Sequence, residues 1–315
     1  MVEAPVVHPV PGTDQHPADA PRRPLAVSLL HLARPRQWLK NLLVLAAPGA
    51  AGVLSHHHAL LLALGATAIF CLTSSGTYFV NDTLDAAADR LHPTKRHRPV
   101  ASGAVAPALA VSMGIALVAG GLIGSWFLVG GRLLVVMGVY VCITFSYSLR
   151  LKHEPVVELA CVASGFVLRA IAGGVAVNVP LSDWFLVVAT FGSLFVVVGK
   201  RSAEHGALGD TRSHHRRTLG SYPMTFLRSA RVVAASVTIT AYCLWAFERA
   251  NHVNPTQHPI FFQLSILPVV VALLLVELRF ETGHGAAPED LALADRSLQL
   301  AGLAWVVLFA IGVYG

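Results

Sequence analysis

Residues 59–80 read ALLLALGATAIFCLTSSGTYFV, and Asn81-Asp82-Thr-Leu-Asp85-Ala-Ala-Ala-Asp89-Arg90 follows without a break. The first stretch is apolar or small throughout and long enough to cross a bilayer as one helix, which takes about 20 residues. In the second, Asp82, Asp85 and Asp89 stand at i, i+3 and i+7, so a continuing helix carries all three on one face. Three carboxylates on one face repel each other unless cations lie between them. They also oppose the partial negative charge at a helix C-terminus, and ionisable groups at membrane depth are costly unless they serve a site. A merely solvated helix end therefore accounts for the cluster less well than a ligand does. Hard divalent ions suit it: Mg²⁺ takes one or two carboxylates together with phosphate oxygens and water.

The apolar pattern recurs outward from this segment. The 315 residues are 55% hydrophobic and only 13% charged, about half the charge of an ordinary soluble domain, with a mean hydropathy of +0.62. Hydropathy and breakers predict an all-α polytopic membrane protein of about nine spans, near 38–54, 59–80, 107–128, 132–149, 155–177, 181–199, 231–249, 260–279 and 297–314. The first is the weakest, because Pro48 and Gly49 interrupt it. A soluble dinucleotide-binding enzyme, a secreted disulfide scaffold and a nucleic-acid module are excluded, despite a net charge of +6. Cys71, Cys142, Cys161 and Cys243 lie in apolar runs without metal-like spacing and read as small buried hydrophobes. Residues 1–27, rich in Pro and Ala, read as a disordered cytoplasmic tail, and 28–315 as a single transmembrane catalytic domain. With the N-terminus inside, twenty of the 23 Lys and Arg fall on the inner side; Arg132 and Arg249 lie opposite and Arg169 within a span. That asymmetry turns the acidic motif toward the cytoplasm from the plasma (inner) membrane.

Cations follow the acids at once: Lys95-Arg-His-Arg98. Carboxylates beside a cationic loop suit metal-bound diphosphate, the acids holding the ion and the Lys and Arg groups the phosphate oxygens. Arg96 and His97 would serve lipid headgroups equally well. Three further inner loops carry the same chemistry: Arg34-Pro-Arg-Gln-Trp38-Leu-Lys40-Asn41, Tyr147-Ser-Leu-Arg150-Leu-Lys152-His-Glu154 with Glu158 one turn on, and Lys200-Arg201-Ser-Ala-Glu204. Arg169 lies three turns beyond Glu158 on roughly the same face, and a cation inside a span needs an acid or a phosphate. Together these loops predict transfer chemistry on a phosphorylated substrate, with a lipid partner received between the helices. Gly120, Gly121, Gly124, Gly173 and Gly174 predict close helix packing, within the chain first and in a homo-oligomer second. His56-His57-His58 reads as a solvated outer loop, and Glu289-Asp290 to Asp295 as a capped surface helix. A transporter fits less well, since the charges gather at one face instead of the midplane and no inverted repeat is evident.

Asn81-Asp82-x-x-Asp85-x-x-x-Asp89 at the end of the second of nine spans resembles the UbiA-type intramembrane prenyltransferase superfamily. The text around it is more particular. Arg34-Pro-Arg-Gln-Trp-Leu-Lys40-Asn41, His92-Pro-Thr-Lys95-Arg96, Leu168-Arg169-Ala-Ile-Ala-Gly-Gly174, Gly199-Lys200-Arg201 and Leu244-Trp-Ala-Phe-Glu248-Arg249 are similar to its phosphoribosyl-transferring branch, the decaprenyl-phosphate phosphoribosyltransferases. The resemblance implies transfer of 5-phosphoribosyl from 5-phosphoribosyl-1-diphosphate (PRPP) to polyprenyl (decaprenyl) monophosphate in the bilayer, with release of diphosphate, for cell-wall arabinan synthesis. It implies Mg²⁺ on Asp82, Asp85 and Asp89, with Asn81 orienting these or the ribose. Lys40, Lys152 and Arg169 would contact phosphates; Lys95, Arg98, Lys200 and Arg201 would hold the 5-phosphate or the lipid phosphate; Asn41, Tyr147 and Glu158 would line the substrate. The superfamily's second Asp-rich motif is replaced here by Lys152-His-Glu154-Pro-Val-Val-Glu158, which fits more phosphate and fewer metal ions. The rival within the superfamily is alkylation of an aromatic or quinone precursor by a prenyl diphosphate.

Overall fold

The computed structural model describes residues 24–208, 217–251, 258–282, 291 and 294–315. Residues 1–23 of the expected tail, Arg212 and Arg216 of the loop after the sixth expected span, and Glu289 and Asp290 lie outside them. A short helix α1 (Leu25–Ala33) lies at the start, and a 3₁₀ segment (Pro35–Leu45) leads into α2 (Ala46–Ala50). Then come α3 (His57–Leu84), α4 (Ala86–Arg90), α5 (Pro107–Val129), α6 (Gly131–Leu149), α7 (Val157–Ala176) and α8 (Asp183–Leu208). The chain continues as α9 (Arg217–Gly220), α10 (Met224–Asn251), α11 (Pro259–Leu264), α12 (Ile266–Glu281) and α13 (Arg296–Tyr314). Among the described residues there is no strand, and eight helical stretches are long and apolar enough to cross a membrane.

The expected first span is realised differently. Arg34 adopts φ +54° and ends α1, Pro35 begins the 3₁₀ segment, and Pro48 and Gly49 confine the α-helical part to α2. At a rise of about 2.0 Å per residue in a 3₁₀ helix and 1.5 Å in an α-helix, this run covers about 30 Å. Its start lies by Asp82 at one end of the bundle, where Arg34 meets that carboxylate at 2.6 Å. Its other end lies by the terminus of α13, where the Tyr314 hydroxyl donates to the Gly49 carbonyl at 3.4 Å. The stretch expected as the first span is thus a stretched helix lying beside the eight long ones.

Packing follows sequence order, with α3 on α5, α6 on α7 and α8 on both α7 and α10, while the 3₁₀ segment lies against α3 and α7. Its Val44 joins Phe70, Met137, Tyr140 and Ala172 in one buried cluster. Two close approaches set these contacts. A Cβ at Gly76 would lie 2.7 Å from the Gly114 carbonyl oxygen, and one at Gly173 would overlap the Val44 carbonyl. Gly121 likewise abuts Thr73, so these close glycine contacts pack the chain against itself. Gly173→Ala should force α7 off the first crossing; overpacking of this kind costs about 1–3 kcal/mol or more, measured as a lowered melting temperature in detergent.

The eighth expected span is two helices joined at Ser265, whose hydroxyl bonds Tyr242 at 2.8 Å while the Trp305 indole donates to that tyrosine at 2.7 Å. Asp295 caps α13, accepting from the backbone of Ser297 and Leu298, and pairs with Arg279 at 2.6 Å. The Arg279 guanidinium and those N–H groups hold its carboxyl below the ordinary value. His56, His57 and His58 are exposed. All four cysteines are free and none is fully buried, contrary to a buried reading: Cys142 is exposed, and Cys71, Cys161 and Cys243 are half-buried.

Candidate active site

The chain scarcely breaks where α3 passes into α4. The Asp85 N–H donates to the Asn81 carbonyl at 2.9 Å and the Asp89 N–H to the Asp85 carbonyl at 2.8 Å, so helical spacing persists and the three acids stay together. Each has a cation. Asp82, 2% exposed, takes Arg34 at 2.6 Å and Arg98 at 3.3 Å. Arg98 also reaches Asp89 at 2.8 Å, bridging the two buried carboxylates. Lys152, arriving from the turn Leu151–His153, meets Asp85 at 2.6 Å, and the Asn81 amide donates to the other oxygen of Asp85 at 3.1 Å. Three aspartates therefore face three cations brought by three different loops. Arg34 is steadied in turn by the face of Tyr78, 4.9 Å from its guanidinium carbon to the ring centroid.

Two other pairs make bonds of their own. Arg201 grips Glu158 with two parallel bonds of 2.7 and 2.8 Å and reaches Glu204 at 2.8 Å. Glu158 is fully buried and Arg201 5% exposed, so the pair ties α7 to α8 and leaves little of the guanidinium free. Tyr147 lies within electrostatic reach of Arg201. Among the described residues Arg169 meets no acid. Its Nε donates to the Asn41 side chain at 2.7 Å, Nη1 to the Gly165 carbonyl at 2.6 Å and Nη2 to the Tyr140 hydroxyl at 3.4 Å, with the rings of Phe70 and Tyr140 about it. Asn41 is fully buried and donates to Cys71 and Ser74, which lie about three and two turns before Asp82 on α3. Arg169 fastens the first crossing to α6 and α7.

Lys40, Lys95 and Lys200 are half-buried on the 3₁₀ segment, the Lys95–His97 turn and α8 respectively. The structure thus gathers Asn81, Asp82, Asp85, Asp89, Arg98 and Lys152, and places Glu158–Arg201 and Asn41–Arg169 in separate clamps. Arg34 stands beside Asp82, in a motif from which the expectation took Lys40 and Asn41 for the substrate. Its position in the same basic motif was the available signal. Tyr140 gave none, being one aromatic in an apolar run.

Among the described residues, no three His, Cys, Asp or Glu side chains converge as a ready metal site. The donor chemistry nevertheless fits Mg²⁺ that arrives with a diphosphate, since such an ion needs only one or two carboxylates and draws its other ligands from phosphate and water.

A model of the UbiA prenyltransferase family matches residues 42–303. The chain belongs to that family. It is 42% identical to the decaprenyl-phosphate phosphoribosyltransferase of Corynebacterium glutamicum, over 93% of this chain and 89% of that protein. It is 40% identical to the enzyme of the same name from Mycolicibacterium smegmatis, over 96% and 97%. The fold is that of a UbiA homolog from Archaeoglobus fulgidus solved with GPP and Mg²⁺, at a TM-score of 0.67 and 20% identity, covering 90% of this chain and 98% of that one.

Proposed function

We propose that this UbiA-family protein transfers 5-phosphoribosyl from PRPP to a polyprenyl monophosphate, decaprenyl phosphate by its relatives' name, and releases diphosphate. The balanced set of three aspartates and three cations at one end of a lipid-embedded bundle carries the reading. Arg34, Arg98 and Lys152 pass from carboxylate to phosphate oxygens when the donor enters, and the freed aspartates face the diphosphate. Mg²⁺ held there would neutralise charge on the departing diphosphate. Asn81, bonded to Asp85, orients that carboxylate. The lipid phosphate attacks the anomeric carbon. No general base is required, because a phosphate monoester with a second pKa of about 6 is already largely ionised at neutral pH. The excess of Lys and Arg at this end supports a site facing the cytoplasm from the plasma membrane.

Purified protein supplied with Mg²⁺, polyprenyl phosphate and ribose-labelled PRPP should yield labelled lipid. Labelled prenyl diphosphate with an aromatic acceptor should yield no transfer. The reverse pattern assigns the protein to ring alkylation instead.

A further inference from the structure

Val156 has φ +67° and ψ −46°, a conformation that branched side chains rarely adopt. Across it the Val157 N–H donates to the Pro155 carbonyl at 2.8 Å, closing a γ-turn of the strained hand. The turn lies four residues after Lys152 and opens α7, which carries Glu158. Such a conformation persists only where its surroundings hold it. Here the holder is Tyr222, whose hydroxyl oxygen accepts the Val156 N–H at 2.7 Å. The tyrosine is 3% exposed, packs with Leu159 and Leu227, and stacks on Phe226. The preceding helix α9 packs on the Leu151–His153 turn itself. A fixed post from one part of the chain thus grips the loop that delivers Lys152 to Asp85.

We infer that Tyr222 is a positioning residue for the phosphoribosyl donor: by holding the Val156 turn, it sets Lys152 where its ammonium can exchange Asp85 for a phosphate oxygen. The inference rests on the transfer reaction proposed above. Tyr222 acts on the backbone and touches no reacting atom.

Kinetics of purified Tyr222→Phe test this, since only a hydroxyl is lost and the buried ring remains. The KM for PRPP should rise about five- to tenfold, the scale of one hydrogen bond, while the KM for polyprenyl phosphate and the melting temperature stay at wild-type values. Glycine takes positive φ without strain, so Tyr222→Phe with Val156→Gly should return the PRPP KM toward wild type. A tyrosine that is only structural would lower the melting temperature and leave the PRPP KM unmoved. That outcome, or no recovery with glycine, overturns the inference. Should Tyr222→Phe fail to fold, Val156→Pro removes the same N–H and forbids positive φ; a wild-type PRPP KM in that variant overturns it equally. Wild-type protein that transfers nothing from PRPP would overturn the reaction itself, and this inference with it.

Discussion

Asp85→Asn should lower turnover by about 10²–10³-fold, the scale of removing one charge-stabilising group from an active site, with the folded protein retained. Asp85 is the most open of the three acids: its side chain is 27% exposed, against 2% for Asp82 and 6% for Asp89. It is therefore the carboxylate that an entering donor meets first. Asparagine keeps the shape and can still accept from Lys152, so the loop stays in place while the charge that would hold Mg²⁺ is gone. Asp82→Asn would not separate these effects, because it would leave Arg34 and Arg98 around a buried neutral amide. Turnover of PRPP, and the rise in melting temperature that Mg²⁺ and PRPP give together, measure the loss. Near-normal turnover in Asp85→Asn would remove the metal assignment.

Glu158→Ala should be the most destabilising single change at this end of the bundle. It strips two of the three acid contacts from a guanidinium that is 5% exposed, leaving Glu204 alone. Breaking a buried pair by removing one partner costs about 3–5 kcal/mol, whereas replacing both partners by apolar groups is often near neutral. Glu158→Ala should accordingly melt well below the parent in detergent, and Glu158→Leu with Arg201→Met should recover most of the stability. The double variant also decides between two roles. If Arg201 is a clamp, turnover returns with the fold; if it binds phosphate, the protein refolds without activity.

The architecture was readable because bilayer physics leaves few choices: an apolar run of span length must satisfy its backbone internally and so becomes a helix. The acidic motif was readable for a related reason, since carboxylates are too costly at such depth to be incidental. What the sequence concealed was partnership. Arg169 and Arg201 read as phosphate ligands because an inward cation needs an anion or its equivalent, yet linear order does not reveal that Glu158 serves Arg201, or that Asn41 with aromatic faces serves Arg169. Nor did hydropathy expose the 3₁₀ form of the first crossing, or its close approach to Gly173 on a segment remote in sequence.

That crossing has a consequence for biogenesis. Asn41 and Arg169 are 128 residues apart, so when the first segment leaves the ribosome its amide has no guanidinium to meet. Wound as a 3₁₀ helix that carries Arg36, Lys40 and Asn41, it is a poor substrate for insertion by itself. Its seating against Arg169 must await synthesis of the span that bears that residue, so the segment is docked well after it is made.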